Sequence, residues 1–330
     1  PPRRPRGPAP YARLMRDDAA QTVPTLAVTK GHGTQNDFVL VDDRTGALDL
    51  GPGLVQALTD RRGGLGADGL IRLVASHALP EGAAALVEDD RAAWFMDYRN
   101  ADGSVAEMCG NGVRVLARFV EELGLWDGAG ELVIGTRAGV RRARRVPGPT
   151  WAGADWDAVD MGPWHLPGGR AAVEAGHDAE VVVPGLDVAR PALSVDLGNP
   201  HTVLALADLD ELAAADLTRA PQVDPVPEHG TNVELVVPLG ETTGPDGAVV
   251  GAVRMRVHER GVGETRSCGT GACAAALAVR TWAGRGAPDL WTVEVPGGLV
   301  TVRVLHGGHV ELAGPAVLVA DAVVRLDALG

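Results

Sequence analysis

The chain has 330 residues, 45% of them hydrophobic and 22% charged, three cysteines and a formal net charge of −13. That length accommodates two domains with sizeable cores, and no apolar run approaches the roughly 18 residues of a membrane span, so no membrane partner is expected. The acidic balance excludes a nucleic-acid partner held by non-specific charge, and three cysteines make no disulfide framework, which points to a reducing cytoplasmic setting.

Residues 1–24 are rich in Pro and Arg (Arg3, Arg4, Arg6, Arg13, Arg16) with no apolar stretch after them, so a flexible extension is expected rather than a secretory signal. Strand signals follow at 25–30 and 37–41 around the turn Gly31-His32-Gly33-Thr34-Gln35-Asn36. Lys30, the sole lysine, ends the first of these strands, and nothing beside it resembles a phosphate cradle. A pyridoxal Schiff base has no better candidate, so no cofactor is expected. A helix is read at 53–60. The glycine-rich stretch 63–69 precedes a strand at 70–74 and lacks the Gly-Lys-Ser/Thr ending of a phosphate loop, so it reads as a tight turn.

The strand 93–98 leads through the polar turn Arg99-Asn100-Ala101-Asp102-Gly103-Ser104 to Met108-Cys109-Gly110-Asn111-Gly112 and an apolar helical run. Strands at 131–136 and 140–146 form an expected hairpin, and 147–154 reads as a linker. Beyond it the order recurs. Strands are read at 156–161, 181–183 and 194–197, then the turn Gly198-Asn199-Pro200-His201 and an acidic helix at 208–216. Strands at 232–238 and 252–258 lead through Glu259-Arg260-Gly261-Val262-Gly263-Glu264-Thr265 to Ser267-Cys268-Gly269-Thr270-Gly271 and a second apolar helix. Strands at 291–295, 299–305, 309–312 and 317–326 complete the chain.

Each half therefore reads as strands, polar turn, Cys-Gly-x-Gly helix, strands. The expected fold is α+β, with two pseudo-symmetric domains (25–150 and 151–314), each a curved, mostly antiparallel sheet around a central helix. Cys109 and Cys268 would sit at helix N-termini, where free amides and the helix dipole lower a thiol pKa and bind a carboxylate. Two thiols on opposite sides of a carbon can pass a proton through it: one as thiolate removes a proton, the other returns one to the opposite face. Helix amides aimed at the carboxylate would stabilise the enediolate formed in between.

Seven ordered elements of the chain carry a resemblance. His32-Gly33-Thr34-Gln35-Asn36-Asp37-Phe38, Gly66-Ala67-Asp68-Gly69, Arg99 to Gly103, Met108 to Gly112, Gly198 to His201, Gly230-Thr231-Asn232 and Glu259 to Gly271 together resemble the diaminopimelate epimerase family, over about 25–326. The resemblance implies an isomerase that interconverts LL- and meso-diaminopimelate without a cofactor, in lysine and peptidoglycan precursor synthesis, and a homodimer. It implies Cys109 and Cys268 as the acid/base thiols, with His201 and Glu259 beside them. Gly110, Asn111, Gly269 and Thr270 would meet the reacting carboxylate, while Asn36, Asn100, Asn199, Asn232, Glu259 and Arg260 hold the rest of the substrate; Arg260 suits the distal carboxylate. It also implies that 315–330 returns to the first domain. One departure stands out: some members carry a substrate-binding glutamine where this chain has Gly69, which cannot make that contact.

Cys273, on the apolar face five residues after Cys268, is expected to be core packing, and Cys268 and Cys273 alone are too few ligands for zinc, so no metal is expected. The asparagines also suit turns, and position alone does not separate turn from ligand. His77, His177 and His309 read as surface or structural. A proline racemase or hydroxyproline epimerase is the alternative within the fold, though it places His where Asn111 stands; a related phenazine-pathway isomerase lacks the cysteine pair. A thiol redox sensor is the alternative of another class.

Overall fold

A computed structural model describes residues 23–149, 155–243 and 247–329. The expected N-terminal extension (1–22 of it) and residues 150–154 of the expected linker lie outside the described residues. Among the described residues, eighteen strands hydrogen-bond into one continuous sheet, and no helix is long and apolar enough to cross a membrane.

The hydrogen-bond pattern is written twice along the chain. Thr25–Gly33 and Asn36–Asp42 form a hairpin, and the latter pairs in parallel with Gly69–Ala75. Gly69–Ala75 runs antiparallel to Trp94–Asn100, which pairs in parallel with Glu131–Thr136. Gly139–Val146 and Trp156–Pro163 then add antiparallel strands. The second half repeats this. Arg190–Asp196 and Pro200–Ala205 are antiparallel, Asn232–Thr243 joins in parallel, and Val249–Glu259 returns. Leu290–Val295 is parallel to that strand, and Gly298–Val304 and His309–Gly314 close the series.

The last strands of the two series pair with each other, Leu312 opposite Val159, and this joins the halves. After each last strand the chain crosses over: Val317–Arg325 pairs with the first strand of the first half, and Ala179–Val182 with the first strand of the second. The strands flanking 147–154 pair with each other, Val146 opposite Trp156, so that segment connects neighbours of one sheet; the passage between halves follows Pro163.

In both halves the connection from the fourth to the fifth strand carries the central helix, Gly110–Glu122 and Gly269–Ala283. The sheets can close around these helices because their side chains are short or branched. Val113, Val115, Leu116, Ala117 and Val120 are sealed in one core with Ala272 and Ala274 to Ala278. Each large aliphatic side chain buried there contributes roughly 1.5–3 kcal/mol, while alanine allows close backbone approach.

The turn expected over 31–36 narrows to two residues. Thr34 and Gln35, with φ of 49° and 65°, form a tight hairpin turn of the left-handed kind that matches strand twist. The helices Pro80–Glu88 and Gly169–Ala175 and the strand Pro200–Ala205 were not among the expected elements. Both helices are short and Ala/Gly-rich, too short for a clear periodicity signal.

Candidate active site

The two cysteines occupy the same local position. Cys109 is the N-cap of the first central helix and accepts the Gly112 N–H on Sγ at 3.4 Å; Cys268 caps the second and accepts the Gly271 N–H at 3.3 Å. The capping role normally filled by Ser or Asp is thus taken by a thiol in each half. The helix tips touch. A Cβ on Gly269 would lie 3.3 Å from Asn111 Oδ1, and one on Gly110 would run into the Met161 side chain at 2.6 Å. Glycine after each cysteine is what lets the tips meet and leaves the first-turn amides open.

Asn111 is fully buried and stitches the halves together. Its Nδ2 donates to Asn36 Oδ1 (3.2 Å), to the Ser267 carbonyl (3.1 Å) and to Ser267 Oγ (3.2 Å). Its Oδ1 accepts from Arg114, which fixes the amide's orientation. Asn36 is fixed as well. Its Nδ2 donates to Asp68 (2.8 Å), itself held by Arg61, so Oδ1 faces Cys109 Sγ at 3.5 Å. Asn100 instead lies in its turn, donating to Ser104 Oγ at 3.0 Å, directly opposite Gly69 across the strand pair.

On the other side Asn199 Nδ2 donates to Thr270 Oγ1 at 3.3 Å, and Thr270 Oγ1 lies 3.5 Å from Cys268 Sγ. His201 is buried with both ring nitrogens engaged, Nδ1 with Glu234 at 2.7 Å and Nε2 with Asn199 Oδ1 at 3.1 Å. Asn232 Oδ1 accepts the Arg260 backbone N–H at 2.9 Å, and Glu259 accepts from Thr265 Oγ1. Arg260 is exposed, donates to the His229 carbonyl and forms no ion pair among the described residues. Asn100 thus bonds within its own turn, and Asn232 and Arg260 bond between the segments 229–232 and 259–260, whereas Asn36, Asn111, Asn199, His201 and Thr270 are linked by hydrogen bonds or close contacts to the two cysteine-bearing helix tips. Cys273, sealed in the helix core, faces away from them.

Three contributors escaped the sequence reading. Glu234 sits in an apolar strand, with one oxygen on His201 and the other without a partner. Arg114, a charged residue inside the apolar helical run, is completely buried. Tyr98 leans over Gly69, where a Cβ would lie 2.7 Å from its ring and 3.2 Å from its hydroxyl. The signal for Tyr98 was present: a strand residue diagonal to a cross-strand glycine is placed to fill the space that the glycine leaves.

The thiols differ from expectation in one respect. Helix amides pull their pKa values down, but burial dominates and pushes Cys109 up to about 11 and Cys268 well above the ordinary 9, with the Glu259 carboxylate adding in the same direction. Burial likewise raises Glu259 and takes Cys273 to about 12. The sign for stability follows directly. The unfolded chain releases these thiol protons near pH 9 while the folded chain keeps them, so the contribution is intact below pH 9 and is lost as pH rises toward 11. Each such thiol removes up to about 1.4 kcal/mol per pH unit in that window. Thermal melts are expected to show Tm falling between pH 9 and 11, with a shallower slope when the three cysteines are alanine; equal slopes would refute this assignment.

With this geometry in hand, the comparisons are specific. The family model for diaminopimelate epimerase matches residues 28–163 and 193–319. The diaminopimelate epimerase of Streptomyces coelicolor is 46% identical over 303 residues, covering 90% of this chain and 94% of the relative. Among solved structures, a phenazine biosynthesis protein of the PhzF family from Bacillus anthracis superposes with a TM-score of 0.61 at 17% identity, over 91% of this chain and 99% of that one. A hydroxyproline epimerase from Agrobacterium vitis, solved with trans-4-hydroxy-L-proline bound, reaches 0.56 at 16%, over 93% and 92%. The structural likenesses speak for the shared two-half fold.

Proposed function

The chain belongs to the diaminopimelate epimerase family, and on that premise we propose that it interconverts LL- and meso-2,6-diaminopimelate by proton transfer between Cys109 and Cys268. The observation that carries the reading is the matched pair of thiol N-caps on helix tips that meet at one cleft. One sulfur, as thiolate, takes the α-proton; the electrons of the broken C–H bond move into the carboxylate as an enediolate. The other sulfur's S–H bond then breaks to form the new C–H bond on the opposite face. The two sulfurs end with exchanged protonation states, so the next turnover can run in reverse.

Burial holds both sulfurs protonated at neutral pH in the free chain, so the reaction begins when one of them releases its proton to solvent and becomes the base, while the other keeps its proton as the acid. The first-turn amides at Gly110, Asn111, Gly269 and Thr270 are placed to receive the carboxylate's developing charge, a preorganised stabilisation worth several kcal/mol. Asn36 and Asn199 flank the two thiols, and His201 with Glu234 acts through Asn199 as a positioning pair. Glu259, Asn100 and Asn232 line the substrate's path, and Arg260, a cation with no counter-ion among the described residues, takes the distal carboxylate. That last feature favours a long dicarboxylate over proline, which has no distal charge. The proposed setting is a cytoplasmic enzyme of lysine and peptidoglycan precursor synthesis, needing no cofactor, metal or nucleic-acid partner. A homodimer is proposed too; the exposed Val317, Val319 and Val323 of the edge strand offer it apolar surface.

The test is incubation with LL-diaminopimelate in D₂O under reductant, following the α-carbons and the isomer ratio. Deuterium at one α-carbon with drift toward a mixture of LL and meso forms is expected. Exchange with proline or hydroxyproline instead would overturn the substrate, and exchange with none would overturn the reaction.

A further inference from the structure

Tyr98 sits in the strand Trp94–Asn100 and is only 8% exposed. Its ring packs edge-on against Phe38, centroids 5.9 Å apart, and lies across Gly69, whose missing side chain makes the room. This fixes the ring from two sides. The hydroxyl, by contrast, has no hydrogen-bond partner among the described residues, although neighbouring polar groups of the cleft are paired almost throughout. Nor is its oxygen among the sealed, unpartnered polar atoms, so it keeps some accessible surface.

A nine-tenths-buried phenol with an unspent proton is uncommon, because leaving a buried donor unmet costs roughly 1–3 kcal/mol. The acids whose charge the hydroxyl feels are those of the cleft: Cys109, Glu259, Asp68 and Cys268 all act with burial to keep it protonated. It is therefore a hydrogen-bond donor at every working pH, held by its ring over Gly69 and within the electrostatic reach of the cleft's thiols and carboxylates. A diamino dicarboxylate with protonated amines offers one kind of acceptor, its carboxylate oxygens.

We propose that Tyr98 is a substrate-binding residue whose hydroxyl donates a hydrogen bond to a carboxylate oxygen of the amino acid held between the two thiols. This rests on the epimerase reading above. Gly69 and Tyr98 then work as a matched pair across two strands. The glycine gives up any contact of its own, and the space it leaves lets a neighbouring strand deliver a rigid donor in its place, one with little rotamer freedom to lose on binding.

The experiment is Tyr98→Phe, which keeps the ring, its packing on Phe38 and its place over Gly69. Steady-state epimerisation of LL-diaminopimelate is measured beside thermal melting. The expected result is a KM raised about tenfold, equivalent to about 1.4 kcal/mol of lost binding, with kcat within about twofold and Tm unchanged. Unchanged KM and kcat in an active background would overturn the inference while leaving the epimerase reading intact. A lowered Tm with proportionate loss of activity would make Tyr98 a packing residue, and a loss confined to kcat would place its hydroxyl in the chemical step; both overturn it as stated. A wild-type chain without activity on LL-diaminopimelate would overturn the epimerase reading and this inference together.

Discussion

Replacing Cys109 with alanine is expected to lower kcat/KM for epimerisation by at least about 10³-fold, and Cys268→Ala to do the same, because inversion needs a base on one face and an acid on the other. The double variant should be no worse than either single one, since residues that act as a unit are not additive. Stability should change little. Each thiol caps its helix through one long Sγ contact, at 3.4 and 3.3 Å, and losing an N-cap costs about 1 kcal/mol. Deuterium exchange adds a directional readout. A single variant retains one sulfur and can still exchange the α-hydrogen that faces it, without inversion. One variant is therefore expected to exchange the LL isomer and the other the meso isomer, which assigns each thiol to its face. Full activity in either variant would return the cysteines to a structural role.

What the sequence disclosed and what it withheld divide along the range of the physics. The Cys-Gly-x-Gly repeats, the glycine turns and the period-two strands are local patterns, and the two central helices and most strands lie where those patterns put them. The thiol acidity was read from the same local feature, the helix N-terminus, and there the direction was reversed. The amides of Gly112 and Gly271 do pull the pKa values down, but the sheets that close over both tips remove more solvation than the amides return. Glu234 was hidden for a related reason. On its strand it alternates with apolar neighbours as an outward-facing residue would, and only the parallel neighbour, with His201 opposite Asn232, turns that face into the interior. The strand Val317–Arg325 was legible as a strand, but its partner, Thr25–Gly33, lies in the other half of the chain.

Arg114 shows the same limit most sharply, and its replacement by methionine is expected to lower kcat/KM about 10²-fold. It is a charged residue inside an apolar helical run, and it is 0% exposed because the segment Gly314–Pro315, leading into Val317–Arg325, lies over it. The guanidinium donates to the Pro315 carbonyl at 3.0 Å, to Thr34 Oγ1 at 3.4 Å and to Asn111 Oδ1. It thereby joins the returning strand, the hairpin turn and the helix tip in one node. No carboxylate pairs with it among the described residues, and burial draws its pKa down to about 10. Two terms then oppose each other in stability. Methionine would orphan the Asn111 and Pro315 oxygens, at roughly 1–3 kcal/mol each, but would also relieve an unpaired buried cation, a cost of similar size. The net change in Tm should therefore be modest. Activity has no such compensation. Without Arg114 the Asn111 amide is free to turn, and both the Asn36 oxygen beside Cys109 and the Ser267 carbonyl before Cys268 lose their shared donor. A misplacement of about 1 Å between reacting groups is enough for a loss near 10²-fold. Kinetics and melting measured together decide the matter: a large fall in Tm with unchanged kcat/KM would make Arg114 a brace for the fold, with no part in aligning the two thiols.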